Sequence, residues 1–242
     1  MSGPLGYLFD GRSWSGAEGL GTELVQQLLL TITSLVIACA VALPVALYLG
    51  HVGRGGALAV NVSNVGRAVP TFAVLVLLSV GPLGTSELGP YGRAGLATLV
   101  SLILFALPPI ITNAYVAIRE VDRETVEAAR GMGMREWQVF RGVELPLALP
   151  LVLTGVRLAL VQVWATATIA ALVAGPGLGN TINLGFTRQD ANQVVGGAIL
   201  VAAIAIALEG ALALAERLLD PLRRARLQFR DKARAGLAQP AA

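Results

Sequence analysis

Residues 94–118 read AGLATLVSLILFALPPIITNAYVAI, an unbroken run with no charged residue. At 1.5 Å of rise per residue a helix of this length crosses the roughly 30 Å hydrocarbon layer of a bilayer. A second charge-free run, LVQQLLLTITSLVIACAVALPVALYLG, covers residues 24–50. Three further apolar stretches follow: Ala57–Gly81 with Arg67 as its one charge, Leu147–Ala174 with Arg157 as its one charge, and Ala191–Leu218, which carries Glu209 inside and Glu216 and Arg217 at its end. The 242 residues are 55% hydrophobic and 14% charged, with a mean hydropathy of +0.70; a soluble domain carries about 25% charged residues. The apolar/polar alternation of a membrane β-barrel is missing, so the spans are helices. The expected fold is an all-α integral membrane protein with about five transmembrane helices.

Charge outside the spans sets the expected orientation, because basic residues favour the cytoplasmic side. Thirteen of the 18 basic residues fall in segments 50–56, 119–146 and the tail from Arg217. Arg12, Arg93 and Arg188 are the three on the opposite side. This predicts an external N-terminus and a cytoplasmic C-terminus. Residues 1–23 then form an external segment, 24–218 the transmembrane domain and 219–242 a basic cytoplasmic tail. The segment before the first span has Asp10, Glu18 and Glu23 against Arg12, which is not the charge order of a signal peptide. The tail's positive charge suits anionic lipid headgroups beside a span and does not imply nucleic acid. Five spans without an internal repeat cannot form two equal halves around a path. A second permease chain, identical or paralogous, is therefore expected.

The long cytoplasmic segment between the third and fourth spans reads VDRETVEAARGMGMREWQVFRGVELPLALP, residues 121–150. Asp122 is a good N-cap, and Glu124 and Glu127 stand where a helix dipole favours acid. A short helix is expected over Thr125–Arg130, stopped by Gly131 and Gly133. Trp137, Phe140, Val143 and Leu145 give a second apolar stripe, which Pro146 would end. Ala128 and Ala129 are small enough to let a partner approach closely. On pattern alone the hairpin also suits an amphipathic element lying on the membrane.

The spacing of this loop resembles the EAA loop of permease subunits in binding-protein-dependent ABC importers. Glu127-Ala128-Ala129, three residues, Gly133, nine residues, Val143, one residue and Leu145-Pro146 reproduce that pattern, except that isoleucine is usual at Val143. The resemblance implies the type I importer permease fold and a coupling loop over 119–146 whose first helix rests in a groove of a separate cytoplasmic ATPase. It also implies an ATPase dimer that carries ATP and Mg, and an extracytoplasmic solute-binding protein that delivers the solute. Glu127, Ala128, Ala129, Gly131, Gly133, Val143, Leu145 and Pro146 are the residues placed in that coupling role.

Local stretches resemble the osmoprotectant branch, which moves glycine betaine, choline or carnitine: GHVGRG at 50–55, RAVPT at 67–71, residues 111–134 and residues 156–179. The Gly175-Pro176-Gly177 run departs from that branch, and the methionine and amino-acid branches share the EAA loop. Residues 175–193, rich in glycine, read as a helix stop and surface loop, and by resemblance as an external gate. Arg67, Pro70, Trp164, Gly175, Gly177 and Gly179 are the candidates for path or gate. Depth along the spans puts Arg67, Arg157 and Glu209 each roughly 14–15 Å from the cytoplasmic face. Arg157 and Glu209 lie on spans joined by one external loop, so they are expected to pair.

No glycine-rich loop followed by Lys-Ser/Thr occurs, so no cofactor is expected on this chain. His51, the sole histidine, stands at a cytoplasmic helix end, which speaks against a metal cluster or a Ser/His/Asp set. The single Cys39 lies within a span. A secondary transporter or channel subunit working through intramembrane charge stays open as a rival.

Overall fold

The computed structural model describes residues 3–16, 18–92 and 94–219, with the side chains of residues 58, 60, 63, 65, 67, 218 and 219 left aside. Two short helices, α1 (Pro4–Phe9) and α2 (Gly11–Trp14), precede the first span, α3 (Leu20–Val52). Then come α4 (Gly56–Ala68), α5 (Thr71–Val80), a 3-10 turn at Gly89–Tyr91 and α6 (Gly95–Arg119). The loop after α6 supplies α7 (Arg123–Gly131) and α8 (Glu136–Val139), followed by a π-turn at Phe140–Glu144 and α9 (Leu145–Ile169). A 3-10 turn at Ala170–Val173, α10 (Gly179–Arg188) and α11 (Ala191–Leu219) complete the described chain.

Among the described residues, four helical stretches are long and apolar enough to cross a membrane: Leu20–Val52, Gly95–Arg119, Glu136–Val173 and Ala191–Arg217. The remaining crossing, expected as one helix over Ala57–Gly81, is instead the broken pair α4 and α5. Pro70 lacks the N–H that would continue the ladder, and its ring drives Val69 away from helical angles. Pro70 accordingly sits outside both helices, as the extended residue before α5, with φ −64° and ψ 115°.

The core is the packing of α3, α6 and α9. Along α3 the buried residues Ser34, Ala38, Ala42, Ala46 and Gly50 recur every four positions, forming one ridge of small side chains. Small residues let membrane helices approach closely, where van der Waals contact replaces a hydrophobic driving force. Ala106, Ala114 and Ala117 of α6 and Ala148, Ala159 and Ala167 of α9 meet that ridge. α6 and α9 approach closely at Gly155 of α9, where a Cβ would lie 2.5 Å from Asn113 Cβ and 3.1 Å from the Pro109 carbonyl. Valines and isoleucines at 25, 32, 36 and 41 cover the outer face of α3 and remain exposed, as a bilayer permits. α11 lies against α1, α10 and one side of α9, and its Ile206 and Leu214 are exposed among the described residues.

Two local expectations need correction. Pro146 does not end the loop's second helix; the helix runs from α8 through the π-turn at Phe140–Glu144 into α9, with Pro146 as the second residue of α9. Residues 175–193 are not a surface loop throughout, since Gly175–Gly179 is buried and Gly179–Arg188 is helical. The segment before the first span is also built in: α1 packs on α11, with Tyr7 and Leu8 beside Leu200, Val201 and Ile204.

Candidate functional site

The hairpin of α7 and α8 is assembled by its own caps and a small core. Asp122 Oδ1 accepts from the Glu124 N–H at 3.2 Å and Oδ2 from the Thr125 hydroxyl at 2.9 Å, fixing the start of α7. α7 extends through Gly131, so Gly131 does not stop it. The reversal is made at Gly133, whose φ of +88° lies in the region that side chains disfavour. The Met134 N–H then donates back to the Ala129 carbonyl at 3.3 Å. α8 starts where the Arg135 N–H meets Gln138 Oε1 at 2.8 Å.

Between the two helices Val126, Ala129 and Val139 are buried together, with Val121, Met134 and Val143 against them. The inner stripe therefore runs through Val139 and Val143, while Trp137 points outward. Ala129, expected to face a partner, faces α8 and is 2% exposed. Glu127, Ala128, Gly131, Met132 and Gly133 form the exposed side and tip of α7, and Met132 is 78% exposed. Leu145 and Pro146 are half-buried in the first turn of α9.

A chain of charges ties the hairpin to the first span. Arg130 binds Glu136 with two parallel bonds, Nε to Oε1 and Nη2 to Oε2, each 2.9 Å. Glu136 Oε2 lies 3.6 Å from His51 Nε2, and His51 Nδ1 lies 2.5 Å from Glu144 Oε2. Phe140 meets the imidazole edge-on at 5.3 Å. Beside this network a cleft of about 350 Å³ opens between Gly50, Arg119, Glu127 and Arg130. Sequence reading missed the link: His51 and Glu144 are 93 residues apart. The one signal was a lone acid, Glu144, just before a span.

At the opposite end, the glycine-rich stretch is strapped to α3. Gln27, fully buried, donates through Nε2 to the Thr168 hydroxyl at 2.9 Å and accepts at Oε1 from the Leu178 N–H at 2.8 Å. Glu23 Oε2 accepts from the Thr181 hydroxyl at 2.5 Å and its N–H at 3.2 Å. Trp164 is buried, its Nε1–H donating to the Val201 carbonyl at 3.1 Å. Gly175, Gly177, Gly179 and Trp164 thus lie inside this chain, while Pro70 is exposed. Arg67 stands next to the last residue of α4, and its side chain lies outside the described residues.

The structure brings Arg157 and Glu209 together, Nη2 to Oε1 at 2.6 Å, with Glu216 Oε2 3.8 Å from Nη1. Removing one partner unbalances the pair at membrane depth, with Glu216 at 3.8 Å as the remaining acid near Arg157, and removing both takes the pair's two charges away together. Arg157→Leu and Glu209→Leu are each expected to lower the folded yield in membranes several-fold. The double change is expected to recover most of that loss. A double variant as poor as the combined single losses would show that the contact carries no weight.

Residues 40–225 match the family described as binding-protein-dependent transport system inner membrane component. The carnitine transport permease protein OpuCB of Listeria monocytogenes is 32% identical over 197 residues, 81% of this chain and 86% of that protein. The osmoprotectant import permease protein OsmY of Salmonella typhimurium is 33% identical over 81% of this chain and 80% of its own length. The choline transport system permease protein OpuBB of Bacillus subtilis is 29% identical over 84% of this chain and 89% of its own. Among solved structures, the MetNI methionine ABC transporter in an inward-facing conformation superposes with a TM-score of 0.70. It covers 83% of this chain and 95% of the matched chain at 23% identity, a likeness of fold.

Proposed function

Because the chain belongs to the family of binding-protein-dependent transport system inner membrane components, we propose that it carries a quaternary-amine osmoprotectant such as glycine betaine, choline or carnitine. The chain is a multi-pass membrane permease subunit of an ATP-driven ABC importer, a transport component and not an enzyme. An ATPase and a solute-binding protein are its partners in that system. The solute reading rests on relatives named for carnitine, choline and osmoprotectant transport across about four-fifths of the chain.

The observation that carries the coupling reading is the hairpin itself. α7 is capped, packed on α8 and joined by short connections to α6 and α9, yet its side at Glu127, Ala128 and Met132 is bare. A rigid element with an exposed face and two spans at its back is a lever for a partner that changes shape. Closure of two ATPase subunits would move α7, and with it the spans it adjoins, provided the contacts differ between the two states. ATP and Mg belong to the partner in this scheme. A second permease chain completes the path, covering part of the surface that α11 and α4–α5 leave open.

Two measurements test this reading. Deleting the gene in its host is expected to remove most high-osmolarity uptake of at least one labelled compound among glycine betaine, choline and carnitine. Unchanged uptake of all three, with loss of an amino acid instead, would move the chain to another branch. The orientation, with α7 cytoplasmic, predicts that in a Cys39→Ala background an impermeant thiol reagent on intact cells labels Phe186→Cys and spares Met132→Cys. Both side chains are well exposed, at 67% and 78%, so the reverse pattern would invert the topology.

A further inference from the structure

α7 is joined through the chain to α6 on one side and, through α8 and the π-turn, to α9 on the other. Movement of the hairpin therefore reaches the third and fourth spans directly. The first span, α3, has no such connection. Against α6 and α9 its cytoplasmic half presents Ala42, Ala46 and Gly50, whose neighbours are Ala114, Ala117, Ile118 and Ala148. Contacts among such small side chains hold helices close but resist sliding weakly, because no directed bond fixes their register. Gln27 bonds α3 to Thr168 of α9 at the far end; in the half nearest the hairpin, the directed link among the described residues is at His51, in the last turn of α3.

Its geometry is that of a strut. With a carboxylate as partner, Nδ1 carries the proton and donates to Glu144 Oε2 at 2.5 Å. Glu144 is 5% exposed, so this bond is shielded from water and strong for its type. Phe140 bears on the ring from the side, at 5.3 Å and 61°. The opposite nitrogen faces Glu136 at 3.6 Å, and Glu136 is clamped by both bonds from Arg130 in the last turn of α7. One imidazole thus touches the element that adjoins the head of α9 and the residue held by the coupling helix.

We propose that His51 is the positioning residue that makes the first span move with the coupling hairpin. This rests on the reading of α7 as the ATPase-docking helix. In this role His51 acts through Glu144 and Glu136. A histidine that merely satisfied Glu144 would affect how much protein folds. A strut affects whether α3 follows α9 when the ATPase closes.

The experiment uses the assembled transporter with its ATPase, in lipid nanodiscs, and needs no solute. Spin labels are placed at Val52→Cys on α3 and Leu147→Cys on α9, both exposed, in a Cys39→Ala background. Their separation is measured before and after trapping with ATP and vanadate. With His51 present the two spans move as one body, and the separation stays constant. His51→Leu is expected to let them part by ~2 Å or more, the scale of helix shifts in switching proteins. His51→Asn, whose amide N–H stands near the place of Nδ1, is expected to restore the constant separation. If His51→Leu folds poorly for want of a partner for Glu144, the His51→Leu/Glu144→Leu pair removes the orphaned charge and the strut together, and the same parting is expected. A constant separation in the strutless variant, or a change in the presence of His51, overturns the proposal. Co-purification of the ATPase is scored on the same samples. Its loss already with His51 present would refute the docking reading, and the strut with it, whereas retained ATPase with an unaltered separation refutes the strut alone.

Discussion

Transport is expected to fall below detection in an Ala129→Trp variant that still inserts into the membrane. Ala129 is 2% exposed and shares its small core with Val126 and Val139. An indole in that space forces α7 and α8 apart, and overpacking of a filled core costs ~1–3 kcal/mol. The hairpin core is three buried residues with three partial neighbours, so a penalty of that size is large against what holds it together. The bundle of α3, α6 and α9 lies elsewhere and should keep its yield. Loss of transport should therefore come with faster proteolysis inside residues 123–139. Ala128→Trp makes the contrast: Ala128 is exposed, so its indole is expected to block ATPase co-purification while the hairpin stays resistant. Normal transport by both variants would remove the hairpin from the coupling role.

The second large effect is expected at Gly155→Leu, which should abolish folded permease altogether. A Cβ there already falls 2.5 Å from Asn113 Cβ and 3.1 Å from the Pro109 carbonyl oxygen. The obstruction includes backbone of α6, which cannot rotate away as a side chain end can. Separating α6 from α9 opens the contact on which the three-helix core depends. Membrane yield of this variant should be at background in a fluorescence-detected size-exclusion assay, with Gly155→Ala intermediate. Normal yield for Gly155→Leu would show that the α6–α9 approach is looser than described.

Much of this architecture was readable in the amino-acid order, because a bilayer makes long apolar runs unambiguous. The charge-free run at 94–118 became α6, and the spacing from Glu127 to Pro146 located the hairpin. What escaped was set by contacts between distant segments. Pro70 lies within an apolar stretch long enough for one span, and hydropathy alone does not register the break its ring imposes. Ala129 and Ala128 look alike as letters, yet one faces α8 and the other water. The burial of Gly175–Gly179 depends on Gln27 and Glu23, more than a hundred residues away. A sole histidine at a helix end suggests no metal cluster or catalytic set, and the partners of His51, Glu144 and Glu136, come from the distant loop.

The permease role is tested most directly by rebuilding the importer from its parts. The chain is reconstituted in liposomes with its ATPase and its binding protein, with labelled glycine betaine outside and ATP within. Uptake is predicted to require all three proteins and hydrolysable ATP, and to be indifferent to sodium and proton gradients. Uptake by the permease alone, driven by an ion gradient and unchanged when the ATPase is left out, would contradict it and make the chain a secondary transporter.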